Sequence, residues 1–116
     1  MSRKIEDAMI AAIRAGENFK QGNTEVVQIS DHVYYFDHAE VRLHGNVIAR
    51  VMNNGADGKW TLAGWNTATT RSRINALVRA FNWDVGVRQV GDVAFKTGSA
   101  TKPFAPISST EWINAF

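Results

Sequence analysis

The sequence predicts an α+β fold: an antiparallel β-meander with an amphipathic helix packed on one face, an N-terminal helix and a short C-terminal helical turn. Three observations lead there. Apolar residues recur at helical spacing in two stretches, residues 5–13 and 74–81. Between them lie short runs rich in β-branched and apolar residues. Two-residue turn signals, Gly45-Asn46 among them, join neighbouring runs as hairpins.

Ile5, Ala8, Met9, Ala12 and Ile13 make residues 3–15 an amphipathic helix. Ser2 can cap it, Glu6 and Asp7 suit its positive end, and Gly16 fits the position just past its C-terminus. Residues 17–24 read as a polar connector with a Gly22-Asn23 turn and Phe19 as its anchor to the core. Val26, Val27 and Ile29 mark a strand over residues 24–29, and Ser30-Asp31 reads as a turn. Residues 33–36 form another β-type run. The sequence leaves open whether it continues into residues 40–44, where Val41 and Leu43 alternate with Glu40, Arg42 and His44. Residues 47–52 return after Gly45-Asn46, residues 53–58 have loop chemistry, and residues 59–63 form the next strand.

Residues 64–82 organise the rest. Ile74, Leu77, Val78 and Phe81 share one side of a helix. Thr67, Thr69 and Thr70 are each able to cap it. Arg71, Asn75 and Arg79 line one flank and Arg73 projects from the other, with Trp65 before the helix and Trp83 after it. Residues 85–90 and 93–96 read as a hairpin about Gly91-Asp92, and residues 97–101 as a loop. Pro103 and Pro106 around Phe104 indicate an extended edge segment. Ser108-Ser109-Thr110-Glu111 fits a capping box opening a short helix that presents Trp112, Ile113 and Phe116.

A chain of 116 residues with 45% hydrophobic and 21% charged residues suits a single domain, residues 1–116. It has no cysteine, hence no disulfide framework. No apolar run approaches the roughly 18 residues of a membrane span, so no membrane partner is expected and a cytoplasmic location is. Net charge is +2, unevenly spread. Residues 1–40 hold four basic and seven acidic side chains; residues 41–102 hold nine basic and three acidic. A basic face able to attract phosphates follows from that asymmetry.

Catalytic chemistry finds little support. There is no nucleophile elbow, Walker loop or dinucleotide-binding glycine pattern. His32, His38 and His44, with Asp31, Asp37 and Glu40 among them, lack the close spacing of a metal site. No cofactor, metal or catalytic residue is assigned, and the expectation is a protein that is not an enzyme. Single-strand binders combine a cationic groove with aromatic platforms for bases. This chain interleaves the two: Lys59-Trp60, Trp65 ahead of Arg71 and Arg73, Phe95-Lys96, Lys102 near Phe104.

Three stretches carry a resemblance: Gly22-Asn23-Thr24 followed by Val26; Val41-Arg42-Leu43-His44-Gly45-Asn46-Val47-Ile48-Ala49; and residues 63–77, Ala-Gly-Trp-Asn-Thr-Ala-Thr-Thr-Arg-Ser-Arg-Ile-Asn-Ala-Leu. They resemble a family of small phage-encoded proteins. The resemblance implies a phage product at work in the host cytoplasm and brings no activity with it. Residues 34–40 and 97–116 depart from the pattern.

The resulting expectation is non-catalytic, non-sequence-specific nucleic-acid binding with a preference for single-stranded DNA, in phage transcription or replication. Arg42, Arg50, Lys59, Arg71, Arg73 and Arg79 are assigned to phosphates, and Tyr34, Tyr35 and Trp65 to stacking on bases. Self-association into a homo-oligomer is expected. The alternative is a modulator that binds a host protein through exposed aromatics such as Tyr35, Trp112 and Phe116.

Overall fold

The computed structural model describes residues 3–31, 36–98 and 104–116. Helix α1 spans Arg3–Ala15 and buries Met9, Ala12 and Ile13. Gly16 ends it at φ 69°, where the Gly16 N–H donates to the Ile13 carbonyl at 3.2 Å and the Glu17 N–H to that of Ala12 at 3.0 Å. That pair of bonds satisfies two carbonyls the helix would otherwise leave open.

The chain then builds a meander of strands β1 (Phe19–Gln21), β2 (Thr24–Asp31), β3 (Phe36–Leu43), β4 (Asn46–Met52) and β5 (Asp57–Trp60). All neighbours pair antiparallel. The supposed connector over residues 17–24 is thus a hairpin, with Phe19 packed on the core. Ser30 and Asp31 continue β2 opposite Asp37 and Phe36, correcting the turn expected there. β3 joins the two runs whose continuity the sequence left open. The hairpin between β3 and β4 turns on His44 and Gly45, φ 51° and 81°, one residue earlier than the Gly-Asn signal. Asn53–Gly55 forms a single 3-10 turn before β5, which ends at Trp60 rather than at residue 63.

Helix α2 spans Ala68–Phe81. Of the three candidate caps Thr67 serves: its hydroxyl accepts the Thr70 N–H at 3.1 Å. Asn82 closes the helix at φ 55°. β6 (Val87–Val90), β7 (Val93–Lys96) and β8 (Ala105–Pro106) make a separate three-stranded sheet with β8 on its edge. β9 (Ile113–Asn114) pairs with β5 and completes a six-stranded sheet of order β1-β2-β3-β4-β5-β9.

The C-terminal turn forms with half of the capping box: the Ser108 N–H donates to Glu111 Oε1 at 3.3 Å, while the Ser108 hydroxyl accepts from the Thr110 N–H instead of that of Glu111. It leads into a strand, not a helix. A helix of so few residues is marginal in water, whereas the free edge of β5 offers backbone partners at once. The Ala115 N–H donates to the Gly58 carbonyl at 3.0 Å, and the Ala115 carbonyl accepts from Asp84 and Val85.

Both helices cover one face of the large sheet, α1 against β2 and α2 against β4. Between them lie Met9, Val26, Val41, Trp60, Leu62, Ile74 and Leu77, all fully buried. Complete burial of side chains such as Ile74 and Leu77 contributes about 1.5–3 kcal/mol each. The buried indoles are satisfied: Trp60 Nε1 donates to the Val85 carbonyl at 2.9 Å and Trp83 Nε1 to that of Gly55 at 2.8 Å. Asn75 ties α2 to the small sheet, donating to the Val87 carbonyl at 2.8 Å and accepting the Val87 N–H at 3.0 Å. Among the described residues no helix packs on the other face of the large sheet, and that is where the first group of candidate residues lies.

Candidate functional site

Strand alternation sets what this open face presents. With Val41, Ala49, Trp60 and Ile113 turned inward, their neighbours Glu40, Arg42, Arg50, Lys59 and Asn114 turn outward. Register places Glu40 opposite Arg50, Arg50 opposite Lys59, and Lys59 opposite Asn114, one row across four strands. Trp112, two residues before Asn114, shares this face and keeps 41% of its surface exposed. The Arg50 guanidinium carbon lies 5.1 Å from the centre of the Trp112 ring and the Lys59 ammonium nitrogen 5.6 Å. Both distances are within cation–π range.

Glu40 sits among these cations. Arg42 Nη2 donates to its Oε1 at 2.8 Å, while Arg50 Nε and His38 Nε2 stand 3.6 and 3.8 Å from Oε2. The carboxylate therefore offsets part of the positive charge. Arg42 Nε and Arg50 Nε are shielded from water and have no hydrogen-bond partner among the described residues. An unsatisfied buried donor carries a desolvation cost of about 1–3 kcal/mol.

The cations of α2 are elsewhere. Helix α2 lies on the opposite side of the sheet, so the single surface expected from the sequence divides in two. Arg71 Nη1 donates to Asn66 Oδ1 beside the start of the helix. Arg79 is exposed and lines the groove between α1 and α2, as do Asp7 and Arg14. Trp65 is 61% exposed, at the turn leading into α2. Tyr34, Tyr35 and Lys102 fall outside the described residues.

Arg73 is a correction. It is 2% exposed, its Nε donating to Thr24 Oγ1 at 3.0 Å and its Nη1 to Glu6 Oε2 at 2.8 Å. Ser72 Oγ donates to the same carboxylate oxygen. A guanidinium enclosed and neutralised in this way cannot meet a phosphate. The cause is helix geometry: Arg73 stands three residues after Thr70 and four before Leu77, both buried, so it shares their side of α2.

From the sequence Trp112 reads as a protein anchor; the structure sets it beside the cations of the sheet. The usable signal is the alternation Trp112, Ile113, Asn114, Ala115, out-in-out-in, which reads as a strand once the helical expectation is dropped. A second aromatic patch lies on the small sheet. Phe104 stacks on Phe95 with ring centres 4.8 Å apart, and the Arg88 guanidinium lies 5.8 Å from the Phe104 ring.

No helix among the described residues is long and apolar enough to cross a membrane. No curated protein and no solved structure matches the chain. One family model, described as Kyanoviridae Gp96 protein, matches residues 2–115. With nearly its whole length covered by that match, the chain belongs to the Kyanoviridae Gp96 protein family, a family of phage proteins.

Proposed function

We propose that this phage protein binds single-stranded nucleic acid without sequence specificity, on the open face of its six-stranded sheet, in phage transcription or replication. One observation carries the reading: an exposed Trp112 ring with the Arg50 and Lys59 cations 5.1 and 5.6 Å from its centre. Cations that follow a phosphate backbone and a ring on which a base stacks are what a single strand needs from a surface. Arg42 adds a third positive group, and Glu40 keeps the affinity modest.

The test is fluorescence anisotropy with labelled single-stranded and duplex oligonucleotides over a salt series. The logarithmic salt slope for single strands is about −0.7 per phosphate contacted, so three cations give about −2. Replacing Arg50 and Lys59 by Ala flattens that slope by about 1.4. Trp112→Ala costs about 1–3 kcal/mol, roughly 5- to 150-fold. An unchanged slope in the Arg50/Lys59 variant, or tighter binding of duplex, overturns the reading.

Glu40 favours a second reading, because a carboxylate between two arginines suits a protein surface of mixed charge better than a polyanion. On that reading Trp112 anchors a host protein. Capture from nuclease-treated host lysate, lost on Trp112→Ala, supports it.

A further inference from the structure

On the helix side of the large sheet, the β3–β4 turn meets the segment that enters α2. A cleft of about 480 Å³ opens between them. Leu43, Ile48 and Leu62 form its apolar floor, each 5% exposed or less. Trp65 stands at its lip with 61% of its surface in water, while His44 and Thr69 supply polar groups on the rim. No acidic side chain lines it among the described residues.

The backbone that carries Trp65 is held in a tight turn. Ala63 and Gly64 both adopt positive φ, 55° and 86°, closing a turn in which the Trp65 N–H donates to the Leu62 carbonyl at 2.9 Å. The Thr67 N–H donates to the Trp65 carbonyl at 3.0 Å, and the Gly64 N–H to the Ser109 carbonyl at 2.8 Å. Ala63 is not glycine, so its left-handed conformation carries a strain that the surrounding bonds must hold. The turn thus sets the Trp65 backbone at the edge of the apolar cleft, and the indole leaves much of its surface uncovered.

We propose that this cleft binds a flat heteroaromatic ring of the nucleobase type, stacked on Trp65, with His44 and Thr69 meeting its hydrogen-bonding edge. The volume lies within the roughly 300–1,000 Å³ of small-molecule sites, and an apolar floor with few polar groups on the rim is their usual make-up. Absence of acidic lining disfavours a cationic ligand and leaves carbonyls, ring nitrogens or an attached phosphate unopposed. The site is separate from the open sheet face and does not rest on the reading given for it.

The experiment is a titration of the full chain with adenosine and with thymidine, followed by amide chemical shifts and tryptophan fluorescence. The expected result is saturable binding, with shifts concentrated at residues 43–48 and 62–70. Trp65→Ala, a change at an exposed side chain, weakens it at least about tenfold, and Thr69→Ala weakens it several-fold. The Arg50→Ala, Lys59→Ala variant binds both nucleosides as the wild type does, so failure here and failure at the sheet face are told apart. Three results overturn the proposal: no saturable binding of either nucleoside, unchanged affinity in Trp65→Ala, or tighter binding of N-acetyltryptophanamide, which would assign the cleft to a protein side chain.

Discussion

Arg73 on α2 donates to the Glu6 carboxylate on α1 across 2.8 Å and 67 positions of sequence. The two helices run side by side in the same direction, since Arg14, eight residues beyond Glu6, donates to the Ala80 carbonyl at 2.9 Å. The pair is shut away from solvent, at 2% and 10% side-chain exposure. It is therefore costly to break by half. Arg73→Ala, which leaves Glu6 buried and unpaired, lowers unfolding free energy by about 3–5 kcal/mol. Replacing both, Glu6→Leu with Arg73→Met, recovers most of that loss, because neither charge is then left alone. Urea denaturation with an unchanged slope is the measurement; equal losses in the single and double variants would refute it.

Gly58 and Trp83 are in direct contact. A Cβ at Gly58 would collide with the indole ring and stand 3.0 Å from the Arg50 carbonyl. Gly58→Ala is expected to lower stability by about 1–3 kcal/mol through overpacking and to change the near-ultraviolet dichroism of the tryptophans. Trp83→Phe gives up the hydrogen bond to the Gly55 carbonyl but makes room. Combined with Gly58→Ala it should therefore cost less than the sum of the two. A strictly additive result would show that the ring moves aside freely.

Asn75 meets both backbone groups of Val87. Asn75→Ala leaves a carbonyl and an N–H of β6 without these partners, at about 1–3 kcal/mol for each group that stays buried. The effect is local. Amide hydrogen exchange should accelerate across β6 and β7 while protection in β2 to β4 holds. Uniform acceleration throughout the chain would mean that the small sheet and the large one open as one unit.

Much of the architecture was legible because it is written in local periodicity. The apolar spacing of Met9, Ala12 and Ile13 with Gly16 beyond them marks α1 at residues 3–15, the bounds observed. Ile74 and Leu77 likewise mark the buried side of α2. What could not be read depends on distant partners. β1 and β9 are three and two residues long, strands only because β2 and β5 accept them. Arg73 looks like any helix-flank cation until Glu6 is placed beside it. The same holds for the candidate surfaces. Arg42, Arg50 and Lys59 share a face because of strand register, and α2, also basic, packs behind that sheet instead of beside it. Charge counted along a chain does not say on which side of a sheet it will fall.

The pairing of Lys59 with Asn114 joins positions 55 apart in the chain, and it is this closure that carries Trp112 to Arg50 and Lys59. Recognition and folding are therefore thermodynamically linked at that edge. Any molecule that grips the ring and both cations together must favour the docked state of β9 over its fraying, by mass action. Occupancy would then be felt at Ala115 and, through its carbonyl, at Val85 behind the sheet.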